Sequence, residues 1–209
     1  MVQEVMTKMS KGRLIVFSAP SGCGKGTMLA EILKDNRFRT SISATTRNPR
    51  PEDTDGVTYH FISKEEFLKR KEEGLFLESA EYVGNCYGTL ISEVDPYLEK
   101  GINVILEIEV NGALEVMKKR PDAISIFVLP PSMKELRRRL EKRGTEELSV
   151  IEERLKKAEW EISHAPKYDY IIVNGPLEEA VSDFFAVVRA EELKAASMGE
   201  TINEVLQNA

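Results

Sequence analysis

The sequence predicts an α/β fold with a parallel central sheet. Short β-favouring runs alternate with helix-length amphipathic stretches along the 209 residues. Residues 102–108 are almost continuously apolar, the texture of a strand buried on both faces. Residues 13–18 run through a glycine-rich turn straight into a helical pattern, a strand–turn–helix order suited to phosphate binding.

Behind the turn, Leu29, Ile32 and Leu33 are spaced to face a sheet while Glu31 and Lys34 stay wet. Residues 38–90 differ in texture. Short runs at 41–43, 58–61 and 75–78 are broken by Pro, Asp, Gly and Asn, which fits a small mixed lobe. Ser63 and Glu66 have capping-box spacing and open a helix to about Glu73. A short helix over 93–100 precedes the strand at 102–108, a helix over 111–119 follows it, and the strand at 123–129 stops at Pro130 and Pro131. Ser132 with Glu135, and Ser149 with Glu152, repeat the capping spacing. The second of these opens a stripe of Ile151, Leu155, Ala158 and Ile162, so two helices joined by a charged turn make a natural lid. A strand at 168–173, a helix over 177–193 and a short helix or frayed tail at 194–209 complete the chain.

Composition narrows the function classes. Hydrophobic residues at 42% and charged residues at 31% exclude a disordered or fibrous chain. A net charge of −6, with no long basic tract, argues against a nucleic-acid partner while leaving room for a small anionic ligand. Two cysteines are too few for a disulfide scaffold, and no apolar run is long enough to cross a bilayer; a cytoplasmic location without a membrane partner is expected. Residues 1–11 do not read as a secretory signal.

The turn contains Ala19, Pro20, Ser21, Gly22, Cys23, Gly24, Lys25, Gly26 and Thr27. Small residues let backbone N–H groups curl around phosphate, the following helix presents its positive end, and Lys25 adds a point charge. The usual pattern is G-x-x-x-x-G-K-[ST]. Here Ala19 replaces the first glycine, and Gly26 stands where a metal-facing hydroxyl is expected, with Thr27 one residue late. No protein metal site is expected; Mg²⁺ keeps several waters and is held mainly by nucleotide phosphates and water.

A second constellation runs through Ser43, Arg47, Arg50, Tyr59, Glu78, Tyr87 and Thr89 to Glu107 and Glu109. The arginine forks and tyrosine hydroxyls suit a phosphate. The carboxylates of Glu78 and Glu109 suit the ring N–H and amino donors of a base such as guanine.

Together these stretches resemble guanylate kinases over residues 12 to about 193. The resemblance rests on SGCGK at 21–25, SATTRNPR at 43–50, GVTY at 56–59, FLE at 76–78, GNCYG at 84–88, PPS at 130–132, RGT at 143–145 and IVN at 172–174. It implies a three-layer P-loop nucleoside-monophosphate kinase fold: a core at 12–42, 92–133 and 161–193, a GMP-binding lobe at 43–91, and a helical lid at 134–160. One domain is expected over 1–209, with the leader at 1–11 and tail at 194–209 unassigned. The implied reaction is phosphoryl transfer from ATP to GMP with Mg²⁺. Arg47, Arg50, Tyr59 and Tyr87 would take the GMP phosphate, while Ser43, Glu78, Thr89 and Glu109 would read guanine, with Glu107 beside them. Arg139, Arg143 and Arg154 would join Lys25 at the ATP phosphates, and Asn174 would lie near the adenine edge. Thr89 stands where the family often has serine, and Glu107 and Glu109 replace its more familiar aspartates.

Arg137 and Arg138 read as a solvated face, and Cys23 and Cys86 as ordinary small residues. Alternatives to GMP phosphorylation are a related kinase with another acceptor and a noncatalytic guanylate-kinase-like module for protein binding. Lys25 in its loop argues against the module. Monomer and homodimer both fit the sequence.

Overall fold

A computed structural model of the chain describes residues 11–142 and 147–207. In chain order the elements are β1 Leu14–Ser18, α1 Lys25–Ile32, β2 Phe38–Thr40, β3 Ala44–Thr45, β4 His60–Phe61, α2 Lys64–Glu72, β5 Phe76–Tyr82, β6 Asn85–Leu90, α3 Asp95–Glu99, β7 Asn103–Glu107, α4 Val110–Lys119, β8 Ile124–Leu129, α5 Met133–Lys142, α6 Leu148–Ser163, β9 Tyr170–Val173, α7 Leu177–Glu192 and α8 Gly199–Gln207. Single 3-10 turns occupy Ile91–Glu93, Ala165–Lys167 and Ala195–Ser197. Two compact units result. One holds the described residues up to Ser18 with Leu33–Ser125; the other holds Ala19–Ile32 with the described residues from Ile126 onward.

In the first unit β2, β7 and β1 lie side by side and parallel. Leu14 to Phe17 and Val104 to Leu106 are fully or almost fully buried, as the unbroken apolar runs require. A second, mixed sheet in the order β4-β3-β6-β5 forms the small lobe. Its β3–β4 pair is parallel, and its β3–β6 and β5–β6 pairs are antiparallel. Ala44, Phe67, Phe76, Cys86 and Leu90 make its core, with the Phe67 and Phe76 rings stacked 4.5 Å apart. Helix α4 packs on β5 and β1.

In the second unit β8 pairs with β9 in parallel from Ile126–Tyr170 to Leu129–Val173. Helix α1 buries Met28, Leu29 and Ile32, and α7 packs on both α1 and β9. Helices α5 and α6 form the helical lid around Leu136, Leu140, Ile151, Leu155 and Ala158.

The serine caps at Ser63 and Ser132 form, each oxygen accepting the N–H three residues on at 3.1 Å. The third expected cap does not. Helix α6 begins at Leu148 with Glu147 as its N-cap, so Ser149 lies inside the helix and Glu152 instead accepts from Arg137 at 2.7 Å. The stripe of Ile151, Leu155 and Ala158 packs on Leu136 and Leu140 of α5, and this packing holds the first turn helical through Ser149 despite its capping preference. The turn at 143–146, with Arg143, lies outside the described residues.

Candidate active site

In the second unit the phosphate loop bends through two glycines with positive φ, Gly22 at 87° and Gly24 at 94°. A Cβ at Gly24 would lie 2.6 Å from Asn174 Nδ2, so the loop needs glycine for conformation and for room. The carbonyl of Cys23 accepts from Asn174 Nδ2 at 2.7 Å and from Arg139 Nη1 at 2.9 Å. Arg139 Nη2 also donates to the Asn174 carbonyl at 3.0 Å, and its Nε donates to Glu135 Oε1 at 2.9 Å. Arg139 and Asn174 therefore pin the loop from α5 and from the end of β9. Bonds from Arg138 and then Arg139 pull the Glu135 carboxyl down to about 2. Burial pushes the Cys23 thiol up to about 12, and its sulfur faces the Val128 carbonyl at 3.5 Å, so it is no nucleophile. Lys25 is half-buried at the start of α1, Pro20 is buried, and Ser21, Gly26 and Thr27 are exposed. Arg154 is half-buried on α6. Arg137 and Arg138 are spread over the carboxylates of Glu152 and Glu135 on the lid surface.

In the first unit a cavity of about 420 Å³ is lined by Ser43, Tyr59, Glu78, Ala80, Glu81, Tyr82, Tyr87, Gly88, Glu107, Ile108, Glu109, Asn111 and Gly112. Glu78 reaches it through a break in register. Phe76 pairs with Leu90, but Glu78 pairs with Thr89, so one extra residue is accommodated at Leu77. In a regular strand Glu78 would share the core face of Phe76; the irregularity puts it on Thr89's face instead. Thr89 Oγ1 then donates to Glu78 Oε1 at 2.8 Å. Glu78 is only 6% exposed, and burial pushes its carboxyl up against the opposing pull of Thr89.

Arg47 Nη2 donates to Asp53 Oδ2 at 2.8 Å, and the same oxygen accepts the Arg50 N–H at 2.7 Å. Those bonds, the Arg50 amide first, hold the Asp53 carboxyl below the usual carboxylate range. The Arg47 guanidinium lies 5.5 Å from the centre of the Tyr59 ring, and Tyr59 meets Phe61 and Tyr87 edge-on at 5.9 and 6.0 Å. Arg50 is exposed. Ser43 stands beside β3 and its carbonyl accepts the His60 N–H at 2.9 Å. Glu107 ends β7 and Glu109, one residue beyond the buried Ile108, is the N-cap of α4; both are exposed and line this cavity.

The nine residues expected around a monophosphate thus all belong to the first unit, and the described residues expected around a triphosphate all belong to the second. Sequence reasoning missed two residues of this site. Asp53 carried a signal in its place three and six residues after Arg50 and Arg47. Gly112 carried one as a glycine opening a predicted helix.

A phosphate loop on a parallel sheet, an arginine-bearing helical lid and a separate mixed lobe define a P-loop nucleoside-monophosphate kinase. The family model for guanylate kinase matches residues 11–191. The chain is 48% identical over 200 residues to a guanylate kinase of Thermus thermophilus, covering 96% of this chain and 90% of that one. A guanylate kinase of Hahella chejuensis is 49% identical over 187 residues, covering 89% and 90%. The crystal structure of guanylate kinase from Anaplasma phagocytophilum superposes with a TM-score of 0.70 at 36% identity, covering 89% of each chain. The chain belongs to the guanylate kinase family.

Proposed function

We propose that this chain's transfer of the γ-phosphoryl group of ATP to GMP, giving ADP and GDP, is carried by the two residue sets described above. The observation that carries the GMP reading is Glu78: a buried carboxylate with one oxygen fixed by Thr89, on the wall of a cavity shared with Glu109 and Ser43. A carboxylate only accepts hydrogen bonds, so it suits the N–H donors on one edge of guanine. Adenine would put a ring nitrogen lone pair against it. Arg47, Arg50, Tyr59 and Tyr87 then take the GMP phosphate, with Asp53 holding the arginine pair in place.

The loop at 20–27, through its backbone N–H groups from Ser21 onward, and Lys25 take the ATP phosphates, and Arg139 and Arg154 bring guanidinium charge from the lid. Arg143 is assigned with them and lies outside the described residues. Asn174, which holds the loop carbonyl, takes the adenine side. The acceptor is a phosphate oxygen already ionised near neutral pH, so positioning and charge stabilisation suffice without a general base. Excluding water limits ATP hydrolysis.

The donor set fits magnesium. A Cβ at Gly26 would meet nothing within 4 Å, and the exposed Ser21 and Thr27 hydroxyls are the loop's own side-chain oxygens. Among the described residues no group of three or more His, Cys, Asp or Glu is placed to hold a metal ion. The Ser21 and Thr27 hydroxyls would be the loop's share of its ligands, with phosphate oxygens and water supplying the rest, and when bound it would supply neutralising charge at the phosphates.

The subregions 43–91 and 134–160 act as acceptor lobe and lid of a single domain. No helix among the described residues is long and apolar enough to cross a membrane, and the reaction suits a cytoplasmic enzyme.

The test is turnover of the purified chain with ATP, Mg²⁺ and GMP, AMP, CMP, UMP or dGMP separately, measuring ADP and the phosphorylated acceptor. GMP-dependent formation of ADP and GDP is expected. ADP formation that is independent of GMP would overturn the reading.

A further inference from the structure

Gly112 is the third residue of α4, is buried, and lines the cavity that contains Glu78. A Cβ built there would lie 2.9 Å from Glu78 Oε2, 3.3 Å from its Cδ and 3.4 Å from its Cγ, and these are the three nearest heavy atoms. The first distance is shorter than a side-chain carbon tolerates, so the carboxylate would have to move. Its other oxygen is held by Thr89 at 2.8 Å, which leaves Oε2 as the end displaced.

The backbone gives no reason for glycine at this position. Gly112 is not among the residues with positive φ, and inside a helix alanine is the more stable choice. What glycine provides is room for one carboxylate, beside the first turn of a helix whose N-cap residue, Glu109, makes no side-chain capping bond.

We infer that Gly112 is a positioning residue for acceptor specificity: by leaving its Cβ position empty it lets Glu78 keep Oε2 toward the cavity, and so sets the preference for guanine. The inference rests on the reading of Glu78 as the group that recognises the base. Two N–H donors on one base edge need both acceptors at hydrogen-bond distance, and a displacement of about half an ångström or more carries one of them beyond it.

The consequence separates this role from a structural one. Gly112→Ala should leave the melting temperature unchanged or raise it, and leave the KM for ATP unchanged. The kcat/KM for GMP should fall about ten- to hundredfold, and the GMP-to-AMP preference should fall with it. The dependence on Glu78 is read with a double-mutant cycle. In a Glu78→Ala background, Gly112→Ala should change GMP turnover by less than about twofold. Glu78→Asp, shorter by one methylene, should recover part of the loss when combined with Gly112→Ala.

An equal loss in the Glu78→Ala background would overturn the inference, because the methyl would then act on something else. So would an unchanged GMP-to-AMP preference, or a lowered melting temperature with a parallel rise in the KM for ATP. The two readings fail differently. If Glu78→Ala leaves the preference untouched, the base-recognition role of Glu78 falls. If Glu78→Ala lowers the preference and Gly112→Ala does not, only the role of Gly112 falls.

Discussion

Thr89 Oγ1 donates to Glu78 Oε1 at 2.8 Å across the β5–β6 pair, holding a carboxylate that burial has made harder to ionise. A raised carboxyl pKa means that the folded chain binds this proton more tightly than the unfolded chain. Its contribution to stability is full below the ordinary value of 4.5 and is lost as pH rises through the folded value. Glu78→Gln removes that ionisation. The variant should melt above the wild type at pH 7 to 8, with the difference shrinking as pH falls through the raised folded value and gone below 4.5. Thermal melts across that range check it, and a variant less stable than wild type at pH 8 would contradict it.

Asp53 makes its two bonds through a single oxygen, to Arg47 Nη2 and to the Arg50 amide. Asp53→Ala leaves both donors without it and should raise the KM for GMP about tenfold, the size of a lost charge-assisted bond, with the KM for ATP unchanged. Asparagine keeps one carbonyl oxygen able to accept both bonds, so Asp53→Asn should be milder. Initial-rate kinetics on both variants separate the two effects.

Phe67 is 1% exposed and stacks on Phe76 in the lobe core that also holds Cys86 and Leu90 of β6, the strand that carries Thr89 and Tyr87. Phe67→Ala should cost about 3–5 kcal/mol, the usual range for emptying an aromatic site in a core. Urea unfolding measures it, and a loss under about 1 kcal/mol would mean that the lobe repacks around the cavity.

Much of this architecture was legible in the sequence, for physical reasons that differ by element. Residues 102–108 were readable as a strand because burial on both faces leaves an unbroken apolar run, and β7 occupies Asn103–Glu107. The Ser63 cap was readable because a serine oxygen and an N–H three residues later form a purely local contact. Strand β6 was not, since Asn85 and Gly88 carry little β preference and the strand is held by partners on both sides. The Ser149 cap failed because packing of α6 on α5 overrides a local preference. In the site, Glu78 was readable as a carboxylate suited to the N–H donors of a base, but its aim into the cavity depends on the irregularity at Leu77, which pattern alone does not reveal. The grip of Arg139 on the Cys23 carbonyl, 116 positions apart in sequence, is likewise a product of the fold.

Lys25 opens α1 at the end of the phosphate loop. Lys25→Ala removes one fixed positive charge from the transferring phosphates and should lower kcat by about 10²–10³-fold, the range for losing one preorganised donor. GMP binding to the folded variant, measured by calorimetry, should be retained because the acceptor residues are elsewhere in the chain.

The most direct measurement is competition between GMP and AMP for the same ATP, in wild type and in Glu78→Gln. The wild type should phosphorylate GMP almost exclusively. Glu78→Gln, which turns an acceptor into a mixed donor and acceptor, should lower the ratio of kcat/KM values by at least about tenfold. A ratio unchanged by the substitution would contradict the claim that this buried carboxylate chooses the acceptor base.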